Sequence, residues 1–359
     1  IDATAAPVCI IAPISSWAAA VSGCVESETY SGIELFVRAI PYNFYSILTL
    51  VFVITLAVLN FDYGKMAQFE IKAKEGDLGA LKLSDEEERT LRVDGPDSPA
   101  HGKLIDLIIP IVLLIACCVW GLLYNGYQSI GEGSVIDAFS STDAYVGLPW
   151  GSIIALILII LYLVARKVIS FEDAMECVPK GFIAMVPAIT ILTLATSLKS
   201  MTNALDASGF VYGVMSNASA LQWILPALVF VVACLVAFAT GTSWGTFGIL
   251  IPIVSAIFPE TSSLFFVGIS ACLAGAVCGD HCSPISDTTI MSSAGAHCNH
   301  INHVETQLPY AITVAVISFV CYILAGLLNM ANLTWVSVPV GVVLVIATLL
   351  VIKKKVKSA

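Results

Sequence analysis

Apolar residues run in long stretches near positions 42–61, 104–123, 148–165, 181–198, 221–239, 262–279, 309–329 and 332–352. A helix that crosses the hydrocarbon core of a bilayer needs about 20 mainly apolar residues, and each stretch approaches that length. Three more stretches, 5–24, 241–258 and 283–296, are shorter or interrupted by polar residues. The short alternating segments of a membrane barrel are not seen. A bilayer admits only helices or closed barrels. The pattern therefore predicts an all-α polytopic membrane protein.

Composition strengthens this reading. The chain is 58% hydrophobic and 12% charged, with a mean hydropathy of +0.92, outside the range of soluble domains. Its net charge of −10 speaks against nucleic acid as a partner. The polar stretch 62–103 mixes charges with Gly and Pro, and reads as a flexible cytoplasmic connector with a helix near 83–92. Most of the eleven cysteines, such as Cys117, Cys118, Cys234 and Cys272, lie in apolar segments. There a thiol acts as a small hydrophobe, so they are expected reduced. No GxxxxGK[ST] motif occurs, so ATP-driven pumping is not expected. The reading is a carrier, not an enzyme, without a cofactor.

Charge also sets direction, because Lys and Arg concentrate in cytoplasmic loops. The terminus "IKKKVKSA" is basic, stretch 62–103 holds seven Lys/Arg, and 166–180 holds Arg166, Lys167 and Lys180, whereas 124–147 holds none. The C-terminus is thus expected inside. Segments 42–61, 148–165 and 332–352 then run from out to in, and 104–123 and 309–329 from in to out. Two short stretches match, "APISSWAA" at 12–19 and "SPISDTTI" at 283–290, with Pro13 and Pro284 lying 271 positions apart. Each precedes a polar loop and two apolar segments of opposed direction, as in an inverted-topology repeat. The expected division is 1–123 as the remainder of a first repeat, including loop 62–103. An extracytoplasmic connector follows at 124–147, then a second repeat at 148–352 and a cytoplasmic tail at 353–359. The offset, and a start without Met, predict that the first repeat begins upstream of residue 1.

The chemistry-bearing residues gather in the second copy. No Lys or Arg occurs between Lys199 and Lys353, yet Asp280 and Asp287 lie in that interval. An ionised carboxylate in low dielectric costs several kcal/mol unless paired. Such groups must be protonated, solvated or hold a cation. Around Asp287 stand Ser283, Ser286, Thr288 and Thr289, the oxygen donors that hard cations take. Pro284 removes a backbone donor and breaks a helix, freeing carbonyls, so "SPISDTT" reads as the unwound centre of a discontinuous helix. "AFATGTSWGTFGILIPI" at 237–253 has the same character: Gly241 and Gly245 permit unwinding, and Thr242, Ser243 and Thr246 bring hydroxyls. The first copy offers Pro13, Ser15 and Ser16 without the aspartate. The expected site is Na+ at Asp287, assisted by Asp280. If 241–258 re-enters from the cytoplasm, 262–279 runs from in to out. If it crosses fully, 283–296 becomes a hairpin. The charge rule does not decide between these. His297, His300 and His303 share roughly one helical face. Without a fourth ligand they read as a helix cap rather than structural zinc, and pH sensing stays open.

"ATGTSWGTFGILIPI", "GAVCGDHCSPISDTTIMSSAGAHCNHINHVETQLPYA" and "APVCIIAPISSWAAAVSG" resemble the hallmark stretches of the NhaC-type Na+/H+ antiporter family. The resemblance implies inverted repeats with re-entrant hairpins and discontinuous helices. It implies a bacterial inner-membrane carrier that exchanges Na+ for H+, with Na+, H+ and the lipid bilayer as partners and a homodimer as an admissible assembly. The same group includes exchangers of organic anions such as malate for lactate. The alternative is therefore a Na+- or H+-coupled exchanger of a small organic anion or amino acid. Members are longer than this chain.

Overall fold

The computed structural model describes residues 2–13, 16–24, 29–30, 32–76, 103–204, 219–258, 260–296 and 298–358. Among them the regular elements are all helical: α1 (Asp2–Cys9), α2 (Ser16–Cys24), α3 (Gly32–Ala39), α4 (Phe44–Leu59), α5 (Gly64–Lys74), α6 (Ile105–Ile130), α7 (Val135–Ser140), α8 (Ala144–Ala165), α9 (Phe171–Ala204), α10 (Leu225–Thr240), α11 (Ser243–Ile257), α12 (Phe265–Cys282), α13 (Asp287–Gly295), α14 (His300–Leu328) and α15 (Ser337–Ser358). Among the described residues, seven helical stretches, around α4, α6, α8, α10, α12, α14 and α15, are long and apolar enough to cross a membrane.

Several boundaries differ from the hydropathy reading. The 166–180 loop shrinks, because α9 starts at Phe171. The Ser170 hydroxyl and Asp173 carboxylate cap its first turn, with Ser170 Oγ donating to Asp173 Oδ2 at 2.6 Å. Stretch 62–103 begins with α5, while its expected helix at 83–92 lies outside the described residues. Connector 124–147 takes in the end of α6 and the short α7. The 309–329 segment starts nine residues earlier, at His300. All eleven cysteines are free thiols.

The chain forms two compact units. One joins residues 1–11, 38–91 and 194–359, and the other joins 12–37 and 92–193. These units follow helix packing and do not coincide with the division expected from the repeat, since α4 packs among the helices of the C-terminal half. In the second unit α6 and α8 run antiparallel. Arg166 Nε meets Asp106 Oδ1 at 3.0 Å where α8 ends and α6 begins.

The first unit is built around α12. All but one of its 18 residues are buried, so this helix meets protein rather than lipid and can carry polar side chains. Small residues allow that enclosure. A Cβ on Gly279 would lie 2.1 Å from the carbonyl oxygen of Cys234 in α10.

Contacts also give the relative directions. Phe230 meets Gly275 and Cys234 meets Gly279, so α10 and α12 run the same way. Ser243 meets Asp280 and Phe258 meets Gly268, so α11 runs opposite to α12 along its length. Tyr322 reaches Ser270 and Gln307 reaches His281, so α14 is antiparallel to α12. Lys353 Nζ donates to Leu59 O at 2.7 Å, joining the last turns of α15 and α4.

Candidate functional site

Two helix breaks abut in the first unit. The α10–α11 break is made by Gly241, whose φ of +67° lies in the left-handed region open to glycine. Thr242 follows as the N-cap of α11. The α12–α13 break runs over residues 283–286 and contains Pro284. A Cβ on Gly241 would sit 2.8 Å from Ile285 O, so a larger residue would push the breaks apart. Ser283 Oγ donates to Phe238 O at 2.8 Å, which satisfies a carbonyl in the last turn of α10.

Beside the breaks lies Asp280, only 2% exposed. Ser243, in the first turn of α11, donates its hydroxyl to Asp280 Oδ2 at 2.7 Å. A carboxyl group within an apolar span is thus met by a hydrogen bond from an adjoining helix. Ser286 and Thr288 share a hydrogen bond of 2.8 Å. The Thr289 hydroxyl is buried without a partner among the described residues.

The other expected site residues divide as follows. Asp287 opens α13 directly after the break, but its side chain lies outside the described residues, as do Ser15 and the side chain of Ser16. Pro13 stands between α1 and α2, as expected of a helix breaker. Gly245 does not interrupt a helix. It lies in the first turn of α11, because Gly241 and Thr242 have already completed the reversal. Thr246 turns its hydroxyl to Thr242 O at 2.9 Å, within its own helix. His300 and His303 have separate partners: His300 Nε2 meets Pro284 O at 2.6 Å and His303 Nε2 meets Asp2 Oδ2 at 3.0 Å, while His297 lies outside the described residues.

A second polar cluster escaped sequence reasoning. His281, next to Asp280, is 3% exposed, and its Nδ1 lies 2.7 Å from the hydroxyl of Tyr45 in α4. Gln307 Nε2 donates to His281 O at 2.8 Å. The His303 partner Asp2 is 3% exposed. The available signal was an ionisable imidazole inside the quoted apolar motif, beside an aspartate that drew the attention.

Residues 8–327 match the Na+/H+ antiporter family. An uncharacterized protein of Haemophilus influenzae is 35% identical over 338 residues, covering 91% of this chain and 62% of the relative. The malate-2H(+)/Na(+)-lactate antiporter of Bacillus subtilis is 27% identical over 161 residues, 44% of this chain and 33% of its own. The arginine/ornithine antiporter ArcD of Halobacterium salinarum is 33% identical over 112 residues, 30% of this chain and 23% of its own. The chain spans less than two thirds of the length of these curated relatives. No solved structure matches it. Since the family match runs through nearly all the helices described above, the chain belongs to the NhaC-type Na+/H+ antiporter family.

Proposed function

We propose that the protein is a secondary transporter, not an enzyme, and that it exchanges Na+ for H+ across a bacterial inner membrane with its C-terminus in the cytoplasm. The observation that carries this is Asp280, buried in an apolar helix beside two abutting helix breaks and bonded to Ser243. Unwound backbone offers carbonyls, and hard cations take carboxylate, hydroxyl and carbonyl oxygen. In this reading Na+ and a proton compete for Asp287. Asp280 shares the cation's charge, and Ser286, Thr288 and Thr289 complete the oxygen shell. A site that holds one ion or the other gives exchange if only loaded forms reorient.

The relatives favour a second reading. The names of the Bacillus and Halobacterium proteins describe exchange of malate with lactate and of arginine with ornithine. This chain would then couple Na+ or H+ to a small organic anion or amino acid. The absence of Lys and Arg from 200–352 weighs against a carboxylate-binding site in that half.

Proteoliposomes holding the full-length protein and a pH-sensitive dye test both readings, with Na+, Li+, K+, malate, lactate or arginine added outside. Proton movement driven by Na+ alone supports the first. Movement that requires an organic solute replaces it with the second. Asp287→Asn should abolish Na+-driven proton movement, and Asp280→Asn should impair it less. Normal exchange by a folded Asp287→Asn protein would move the charge-carrying role to another carboxylate.

A further inference from the structure

The last turn of α12 carries ionisable groups on two sides. Consecutive helical residues point about 100° apart. Asp280 meets α11 through Ser243, while His281 meets α4 through Tyr45. Next to His281 lies the pair of Asp2 and His303, 3.0 Å apart.

Three observations mark this second side as more than packing. Asp2 Oδ1 and His281 Nε2 are both buried without a hydrogen-bond partner among the described residues, and an unsatisfied buried polar atom costs free energy. A cavity of about 60 Å3 with mainly apolar walls adjoins His281, lined also by Thr49, Gln307 and Tyr310. Finally, the Tyr310 hydroxyl donates to Asp62 Oδ1 at 2.8 Å, and Asp62 is half-buried in the turn after α4. Tyr310 thus joins Asp62, beyond the end of α4, to the wall that it shares with His281.

Among the described residues, these groups face the pair. His281 and Cys282 come from α12, Gln307 from α14, and Tyr45 stands behind His281 on α4. One ionisable residue, Asp287, belongs to α13, which also packs on α1. Glu305, on α14, is held by Lys65 at 2.6 Å on the exposed side.

We propose that Asp2 and His303 form a proton-binding site of their own, separate from the Asp280–Asp287 cation locus, so that each cycle moves one proton beyond the one displaced by Na+. The carboxylate–imidazole pair holds the proton as carboxylate with imidazolium and releases it to leave carboxylate with neutral imidazole. This rests on the Na+/H+ reading above.

The test is the H+/Na+ ratio of the full-length protein in proteoliposomes. With the membrane potential clamped to zero by K+ and valinomycin, an imposed pH difference is set against a Na+ gradient until net flux vanishes. The ratio is an equilibrium quantity, so a slow variant still reports it. Wild type should give two protons per Na+, and Asp2→Asn and His303→Gln should each give one. A wild-type ratio of one, or variants that keep two, overturns the proposal. Loss of both Na+/H+ and Na+/Na+ exchange in both variants also overturns it, because the pair then serves folding or reorientation. A wild type with no Na+-driven proton flux removes the underlying reading as well.

Discussion

Gly279→Ala tests the enclosure of α12. The added Cβ would lie 2.1 Å from Cys234 O, 2.7 Å from Phe238 N and 2.8 Å from Ala237 Cβ. Two of these atoms are backbone and cannot rotate away. An ordinary heavy-atom contact is about 3.5 Å, so α10 and α12 must part locally by about 1.4 Å. Overpacking of this kind costs about 1–3 kcal/mol, offset by about 1 kcal/mol of helix propensity gained when Ala replaces Gly. Gly181, in α9, has nothing within 4 Å of its Cβ position, so Gly181→Ala should keep the propensity gain alone. The same chemical change is thus expected to differ between the two sites by about 1–3 kcal/mol, or about 2–12 °C in unfolding midpoint at about 2–4 °C per kcal/mol. The assay is thermal unfolding of the detergent-solubilised full-length protein, followed by tryptophan fluorescence. Equal midpoints, or a Gly279→Ala protein more stable than Gly181→Ala, would refute the claim that α10 backbone closes on α12.

Other outcomes follow from the same geometry. Ser243→Ala removes the donor to Asp280, a hydrogen bond to a charged group worth about 1.5–3 kcal/mol. Half-saturating Na+ should rise about 10- to 140-fold, whereas Thr246→Val, whose hydroxyl serves its own helix, should change it less than about 2-fold. Equal effects would show that Ser243 does not act through Asp280. Single-Cys variants at Ser84 and Ser358, on a Cys-free background in intact cells, should both resist an impermeant thiol reagent, and labelling of only one would break the proposed topology. At the N-terminus of α7 the Asp137 carboxyl is held below its ordinary range by hydrogen bonds from the Ser134 hydroxyl and amide. Its contribution is therefore present above the ordinary aspartate pKa and lost as pH falls below it. Hydrogen exchange over 135–140, corrected for intrinsic rates, should quicken at pH 3 relative to pH 6 by about 3-fold or more, and unchanged protection would exclude the cap.

Hydropathy located the spans because lipid exposure demands apolar surface, and α4, α6, α8, α10, α12, α14 and α15 fall on predicted stretches. It placed ends poorly where helices continue past the apolar slab. Helix α9 begins with "SFED", a serine and an aspartate three apart that cap its first turn, a signal of chemistry rather than hydropathy. Both helix breaks were legible through Pro284 and Gly241, since each residue restricts or frees the backbone locally. Gly245 was misread because a second glycine so near a break is tolerated within the new helix. The pairing of Asp2 with His303 was not legible, because 301 positions separate them and only packing brings α1 beside α14.

The same packing explains how an apolar segment keeps its carboxylates. Helix α12 escapes lipid by being walled in, and its small residues let neighbouring backbones come close enough to present polar groups. Asp280 receives the Ser243 hydroxyl from one neighbour, and His281 receives Tyr45 from another. Both neighbours named here are hydroxyl groups, and that matters for a carrier. A fixed basic partner would neutralise a carboxylate permanently and compete with any arriving cation. A hydroxyl donor orients a carboxylate oxygen without bringing a positive charge of its own. Under the proposals above, one side of this turn would meet a metal cation and the other a proton.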